Sequence, residues 1–198
     1  MQVITHICLE TFRNSYLIAN PDTKEAIIID PAGIDTRLID RIENNHFVLK
    51  AAVLTSPRSL HERPLRTLRR IYPVEVFCTQ QDVGDVEITR MRPDYPVSLL
   101  GFSVEPISMS AYSMNTVLLQ IGECLFTGDI LSAGTIGDPP SSFAVALLKT
   151  EILERLHTMP PATIVLPAHG PPTTIEAELR TNPYLQDEQQ NLDARKHH

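Results

Sequence analysis

Ile164-Val165-Leu166-Pro167-Ala168-His169-Gly170-Pro171 is a short apolar run that ends on a histidine, and Leu125-Phe126-Thr127-Gly128-Asp129 is another that ends on an aspartate. Each reads as a buried strand followed by a loop that presents one polar side chain, the place where an α/β fold usually puts its chemistry. A third stretch, Val53-Leu54-Thr55-Ser56-Pro57-Arg58-Ser59-Leu60-His61, begins the same way. It has the outline of a metal-binding loop from which most of the ligands have gone.

Around these stretches the composition is that of an ordinary globular chain: 198 residues, 42% hydrophobic and 21% charged, enough for the core of one domain. A formal net charge of -7 argues against a nucleic-acid or anionic-membrane partner held by bulk charge. The local exception, Arg58, Arg63, Arg66, Arg69 and Arg70, falls at helical spacing with Leu65, Leu68 and Ile71 as the apolar stripe, and reads as a solvated basic helix face. No apolar run approaches the roughly 18 residues needed to span a bilayer, and the N-terminus lacks the pattern of a secretion signal, so a cytoplasmic protein is expected. The three cysteines, Cys8, Cys78 and Cys124, are odd in number and set in apolar runs, which fits reduced core residues.

Strand-like and helix-like segments alternate along the chain. Val3 to Leu9, Ser15 to Ala19 and Ala26 to Asp30 read as strands, and a helix with Ile34, Leu38, Ile39 and Ile42 on one face ends at Asn44-Asn45. Lys50 to Thr55 is the next strand, and Pro64 sits in the first turn of the basic helix, where its missing N–H costs little. Val74 to Cys78, Phe102 to Met109, Thr116 to Ile121 and Cys124 to Thr127 continue the strand pattern. Helices follow at Ser142 to His157, with Val145, Leu148, Ile152 and Leu156 on one face, and at Ile175 to Arg180, with the strand Thr163 to Leu166 between them. Gln80 to Pro96 carries no clear pattern. The polar tail 186–198 is expected to fray, and its His197 and His198, equally readable as part of a purification tag, are set aside. Hairpins mixed with βα units predict two sheets sandwiched between helices, in a single domain over residues 1–185.

The order of these motifs resembles the metallo-β-lactamase superfamily and, within it, the glyoxalase II-like hydrolases. Asn14-Ser15-Tyr16-Leu17 looks like the family's opening strand, Asp30-Pro31-Ala32-Gly33 like its Asp-Pro-Gly turn, and Leu125 to Asp129 like its Phe-Thr-Gly-Asp motif. His169-Gly170-Pro171-Pro172-Thr173-Thr174-Ile175, with Glu178, Arg180 and Asn182-Pro183-Tyr184-Leu185, looks like the glyoxalase II-like C-terminal signature. The resemblance implies an α/β fold, a four-layer αβ/βα sandwich, with two metal ions at the sheet edge. Those ions would be held by His-x-His-x-Asp-His, a third histidine, a bridging aspartate and a final histidine.

Mapped onto that pattern, Ser56 and Arg58 stand at the first two histidines, Leu60 at the aspartate and Tyr112 at the third histidine, while His61, Asp129 and His169 are retained. The first metal position keeps only Asp129, too few donors for Zn2+. The second keeps two imidazoles and a carboxylate, a set able in principle to hold one Zn, Fe or Mn ion with open sites for water. Loss of the Leu60 carboxylate also removes the group that would take a proton from attacking water. Asp138, where the family commonly has an arginine, further weakens the case for an acidic thioester substrate.

Each residue has a plainer role open to it. Arg58 either points inward and pairs with Asp129 in place of the missing metal, or points to solvent. His61 reads also as a helix-start residue, Asp129 as an acceptor for loop N–H groups, His169 as a loop anchor and Tyr112 as a buried hydrogen-bonded tyrosine. The expectation drawn from this tally is a pseudoenzyme with no catalytic residues and no cofactor. Its cleft is lined by Ser56, Arg58, His61, Tyr112, Asp129 and His169 and takes a small-molecule ligand. The alternative is a mononuclear hydrolase of thioesters or related esters on His61, Asp129 and His169. The sequence carries no signal for oligomeric state.

Overall fold

The computed structural model describes residues 1–59, 61–80, 86–139 and 141–186. Leu60 and the tail from residue 187 lie outside the described residues, and with them the expectations placed there. The chain runs β1 (Gln2–Ile7), β2 (Asn14–Ala19), β3 (Glu25–Ile29), α1 (Thr36–Asn44), β4 (Val48–Val53), α2 (Glu62–Ile71), β5 (Glu75–Cys78), β6 (Thr89–Arg90), β7 (Val97–Leu99) and β8 (Phe102–Ser108). It continues through β9 (Val117–Ile121), β10 (Cys124–Gly128), β11 (Leu131–Ser132), β12 (Thr135–Ile136), α3 (Ser142–Leu156), β13 (Ile164–Pro167), β14 (Thr173–Thr174) and α4 (Ile175–Thr181). Two six-stranded sheets result, ordered β1-β2-β3-β4-β5-β6 and β14-β13-β10-β9-β8-β7.

Alternation along the strands builds the four layers. Tyr16, Ile18, Ile27, Ile29 and Val53 face Val117, Leu119, Phe126 and Leu166 of the second sheet in one buried cluster. Their strand neighbours Leu17, Ile28 and Ala52 point the other way, against Leu38 and Ile42 of α1 and Leu65 and Leu68 of α2. On the far side Leu118, Leu125 and Val165 meet Leu148, Ile152 and Leu156 of α3 and Ile175 of α4. Strands covered on both faces read as near-continuous apolar runs, which is why β3, β10 and β13 stand out in the sequence. The cysteines are free and buried, as expected, and no described helix is long and apolar enough to cross a membrane.

Side-chain caps begin three of the helices: Asp35 accepts from the N–H of Leu38, Ser141 from that of Ala144 and Thr174 from that of Ala177. Ile71 departs from its expected place on the buried stripe of α2. It is the last residue of the helix and 44% exposed, and the half-buried ring of Tyr72 packs on the cluster instead. The unassigned stretch Gln80 to Pro96 contributes β6, too short for a periodic signal, as an edge strand beside β5.

Candidate functional site

β10 and β13 are parallel neighbours in register Gly128↔Pro167, and the N–H of Ala168 donates to the carbonyl of Gly128 at 2.9 Å. The residues that follow, Asp129 and His169, therefore leave the sheet at the same end. Gly128 adopts φ 52, and a Cβ there would lie 2.5 Å from Thr55 Oγ1, so only glycine lets the end of β10 approach the residue after β4 so closely. Thr55 is in turn held by Asp30, whose carboxylate accepts its N–H at 2.9 Å and its hydroxyl at 2.6 Å. Burial pushes the Asp30 carboxyl up to about 6, against the pull of the Thr55 hydrogen bonds and the Arg13 charge.

The cation in this cleft comes from the β1–β2 turn, not from the loop after β4. Arg13 Nη2 lies 2.9 Å from Oδ1 and 3.0 Å from Oδ2 of Asp129, and Nη1 lies 3.1 Å from His169 Nε2. With Nε2 as the acceptor, one guanidinium holds carboxylate and imidazole together, although the two are themselves 3.7 Å apart. The next residue sets its position. The Asn14 N–H donates to the carbonyl of Ala168, and its side-chain amide donates to those of Pro167 and Gly170, at 2.8, 2.9 and 2.8 Å.

Of the two roles open to Arg58, pairing with Asp129 is not what the structure contains. Its side chain is exposed, with the guanidinium 6.0 Å from the centre of the Tyr112 ring, a loose cation–π arrangement. Arg13 reaches Asp129 from the β1–β2 turn, whereas Arg58 sits in the 3-10 turn Pro57–Ser59 with its guanidinium by Tyr112. Ser56 is buried and its oxygen is committed, accepting from the N–H of Arg58 and the hydroxyl of Thr116, both at 3.2 Å. Tyr112 is half-buried, its ring so close to Gly137 that a Cβ there would stand 2.5 Å from it, and burial raises its phenol above the usual range. The ring is thus packed and its hydroxyl end faces Arg58.

His61 occupies the N-cap position of α2 without a side-chain capping bond. Its Nε2 is buried and has no hydrogen-bond partner. Burial, followed by the Arg13 charge and partly offset by Asp129, lowers its affinity for a proton. Beside it lies a cavity of about 360 Å³ bordered by Glu10, Thr11, Gly33, His61, Arg63 and Thr67. Arg13 escaped the sequence reading because it precedes the first matched residue. The available signal was a cation abutting Asn14.

A divalent ion fits this donor set poorly. Both oxygens of Asp129 and Nε2 of His169, the lone pairs an ion would need, already accept from Arg13. Among the described residues no group of three or more His, Cys, Asp or Glu side chains converges to hold one. Placed roughly 4 Å from the guanidinium, a doubly charged ion would meet a repulsion of about 8 kcal/mol at an effective dielectric of ~20.

No protein-family model matches the chain. It is 33% identical over 166 residues to an uncharacterized protein of Treponema pallidum (strain Nichols), covering 83% of this chain and 88% of that one. It is 28% identical over 204 residues to the hydroxyacylglutathione hydrolase GloC of Haemophilus influenzae, covering 90% and 96%. Among solved structures, that of the BLEG-1 B3 metallo-β-lactamase superposes with a TM-score of 0.79 at 23% identity, over 93% of this chain and 99% of that one. The chain has the metallo-β-lactamase fold and is similar in sequence to glyoxalase II-like hydrolases of that superfamily.

Proposed function

We propose that this protein is a pseudoenzyme on a glyoxalase II-like hydrolase frame, a binding or regulatory protein that lacks the dinuclear metal site and most or all hydrolysis. The observation that carries this reading is what stands at the first ion's ligand positions. Ser56 is spent on Thr116 and the Arg58 N–H, Arg58 is exposed and lies by Tyr112 rather than Asp129, and Tyr112 is packed on Gly137. Each lost catalytic group typically costs orders of magnitude in rate, and several are absent together. The ligand is a small molecule entering beside His61, where the cavity has the size of such sites. Three free, buried cysteines support a cytoplasmic setting.

One observation favours the second reading, a mononuclear hydrolase on His61, Asp129 and His169: the buried Nε2 of His61 lacks a partner. Metal content separates the two. Protein freed of terminal histidines, purified without a nickel column, is expected to carry no stoichiometric zinc, iron or manganese and to leave glutathione thioesters intact. One ion per chain, lost in Asp129→Ala or His169→Ala together with thioester hydrolysis, would establish the hydrolase instead.

A further inference from the structure

We infer that Arg13 is the resident cation of this cleft: its guanidinium takes the charge position between Asp129 and His169 that a divalent ion would otherwise occupy, and so excludes one. The inference rests on the pseudoenzyme reading and names the device that enforces it. Missing ligands alone leave three donors facing the cleft, and three protein ligands are enough for a catalytic zinc. What removes two of the three, Asp129 and His169, is competition for the same atoms. Arg13 Nη2 touches both carboxylate oxygens and Nη1 touches His169 Nε2, so occupancy by arginine and by metal cannot coincide.

The arrangement is built in. The Arg13 side chain is only 15% exposed. Its backbone is fixed from both sides, by the Asn14 hydrogen bonds to the Pro167–Gly170 loop and by the Arg13 carbonyl accepting the N–H of Cys8 at 2.9 Å. A guanidinium also keeps its positive charge in proteins, so it does not give up the site by losing a proton.

The test is Co2+ binding, read by visible absorbance and equilibrium dialysis, on the wild type, Arg13→Met and Arg13→Lys. Arg13→Met keeps the volume and discards the charge. It is expected to bind Co2+ at least tenfold more tightly than the wild type and to melt at higher temperature when the ion is present. Arg13→Lys, still cationic, is expected to stay near the wild type. Tight Co2+ binding by the wild type would sink the pseudoenzyme reading, and the exclusion by Arg13 with it. A folded Arg13→Met that binds no better than a metal-free wild type overturns the role of Arg13 alone. Arg13→Gln, which can keep one N–H on Asp129, is measured in parallel. If neither neutral variant folds, Arg13→Met/Asp129→Asn decides: recovery of folding supports Arg13 as the counter-charge of Asp129, and no recovery overturns it.

Discussion

The carboxylate of Asp30 accepts two hydrogen bonds from Thr55 in a fully buried pocket, and its proton affinity rises to about 6 from an ordinary 3.8. Between those values the folded chain holds a proton that the unfolded chain releases, so this residue's contribution falls as pH rises from about 4 to about 6. The loss amounts to about 3 kcal/mol at most, from 1.36 kcal/mol for each pH decade of shift. Urea denaturation at pH 4 and pH 7 is expected to show a flatter pH dependence in Asp30→Asn than in the wild type. An unchanged slope would mean that Asp30 ionises freely in the folded state. Gly137 presents a steric counterpart, since an added Cβ would meet Tyr112 at 2.5 Å and the Asp129 carbonyl oxygen at 2.8 Å. Gly137→Ala is expected to cost about 1–3 kcal/mol through overpacking and to displace Tyr112, which the fluorescence of that ring in a thermal melt would register.

Two short clamps connect the secondary structure elements around the cleft. The first is Asn14, at the start of β2, which ties the β1–β2 turn to the loop after β13. Replacing it with alanine strands the Gly170 carbonyl, while that of Pro167 still accepts the Tyr16 hydroxyl at 2.7 Å, and Asn14→Ala is expected to lose about 1–3 kcal/mol of unfolding free energy in urea titration, the cost of one unsatisfied group. A loss below about 0.5 kcal/mol, within the range of ordinary surface changes, would show that water replaces the amide at no cost. The second clamp is Glu178 of α4, buried, which accepts the Gly134 N–H at 3.1 Å and the Asn182 amide at 2.7 Å. It anchors the loop after Asp129 to the last helix. Glu178→Ala is therefore expected to loosen that loop, seen as faster amide exchange at Gly134, and Glu178→Gln, which retains an acceptor, to restore part of the protection.

For the whole molecule, stability comes from three apolar layers between two sheets and their flanking helices, with a guanidinium bridging the site. A protein whose fold draws on metal loses stability to a chelator by mass action, because the ion binds the native state alone. Here EDTA is expected to leave the melting temperature unchanged, and a fall of several degrees in calorimetry would contradict the substitution of ion by arginine. The same four-layer architecture fixes which residues meet. Asp129 and His169 converge because β10 and β13 are parallel neighbours, although the residues lie far apart in the chain.

What the sequence determined by itself was the part written in local pattern: apolar runs long enough to be buried on both faces, the apolar stripes of the helices, and the residue types at Ser56, Arg58 and Tyr112. Those signals are local because strand alternation, helical spacing and residue chemistry need no partner. Only the tertiary structure decided which arginine meets Asp129. The choice between Arg13 and Arg58 depends on which backbone is aimed at the cleft, and that aim is set by the Asn14 clamp across 153 and 156 positions of chain. Spacing along a sequence carries no record of such an approach, since a charge finds its partner by distance in space.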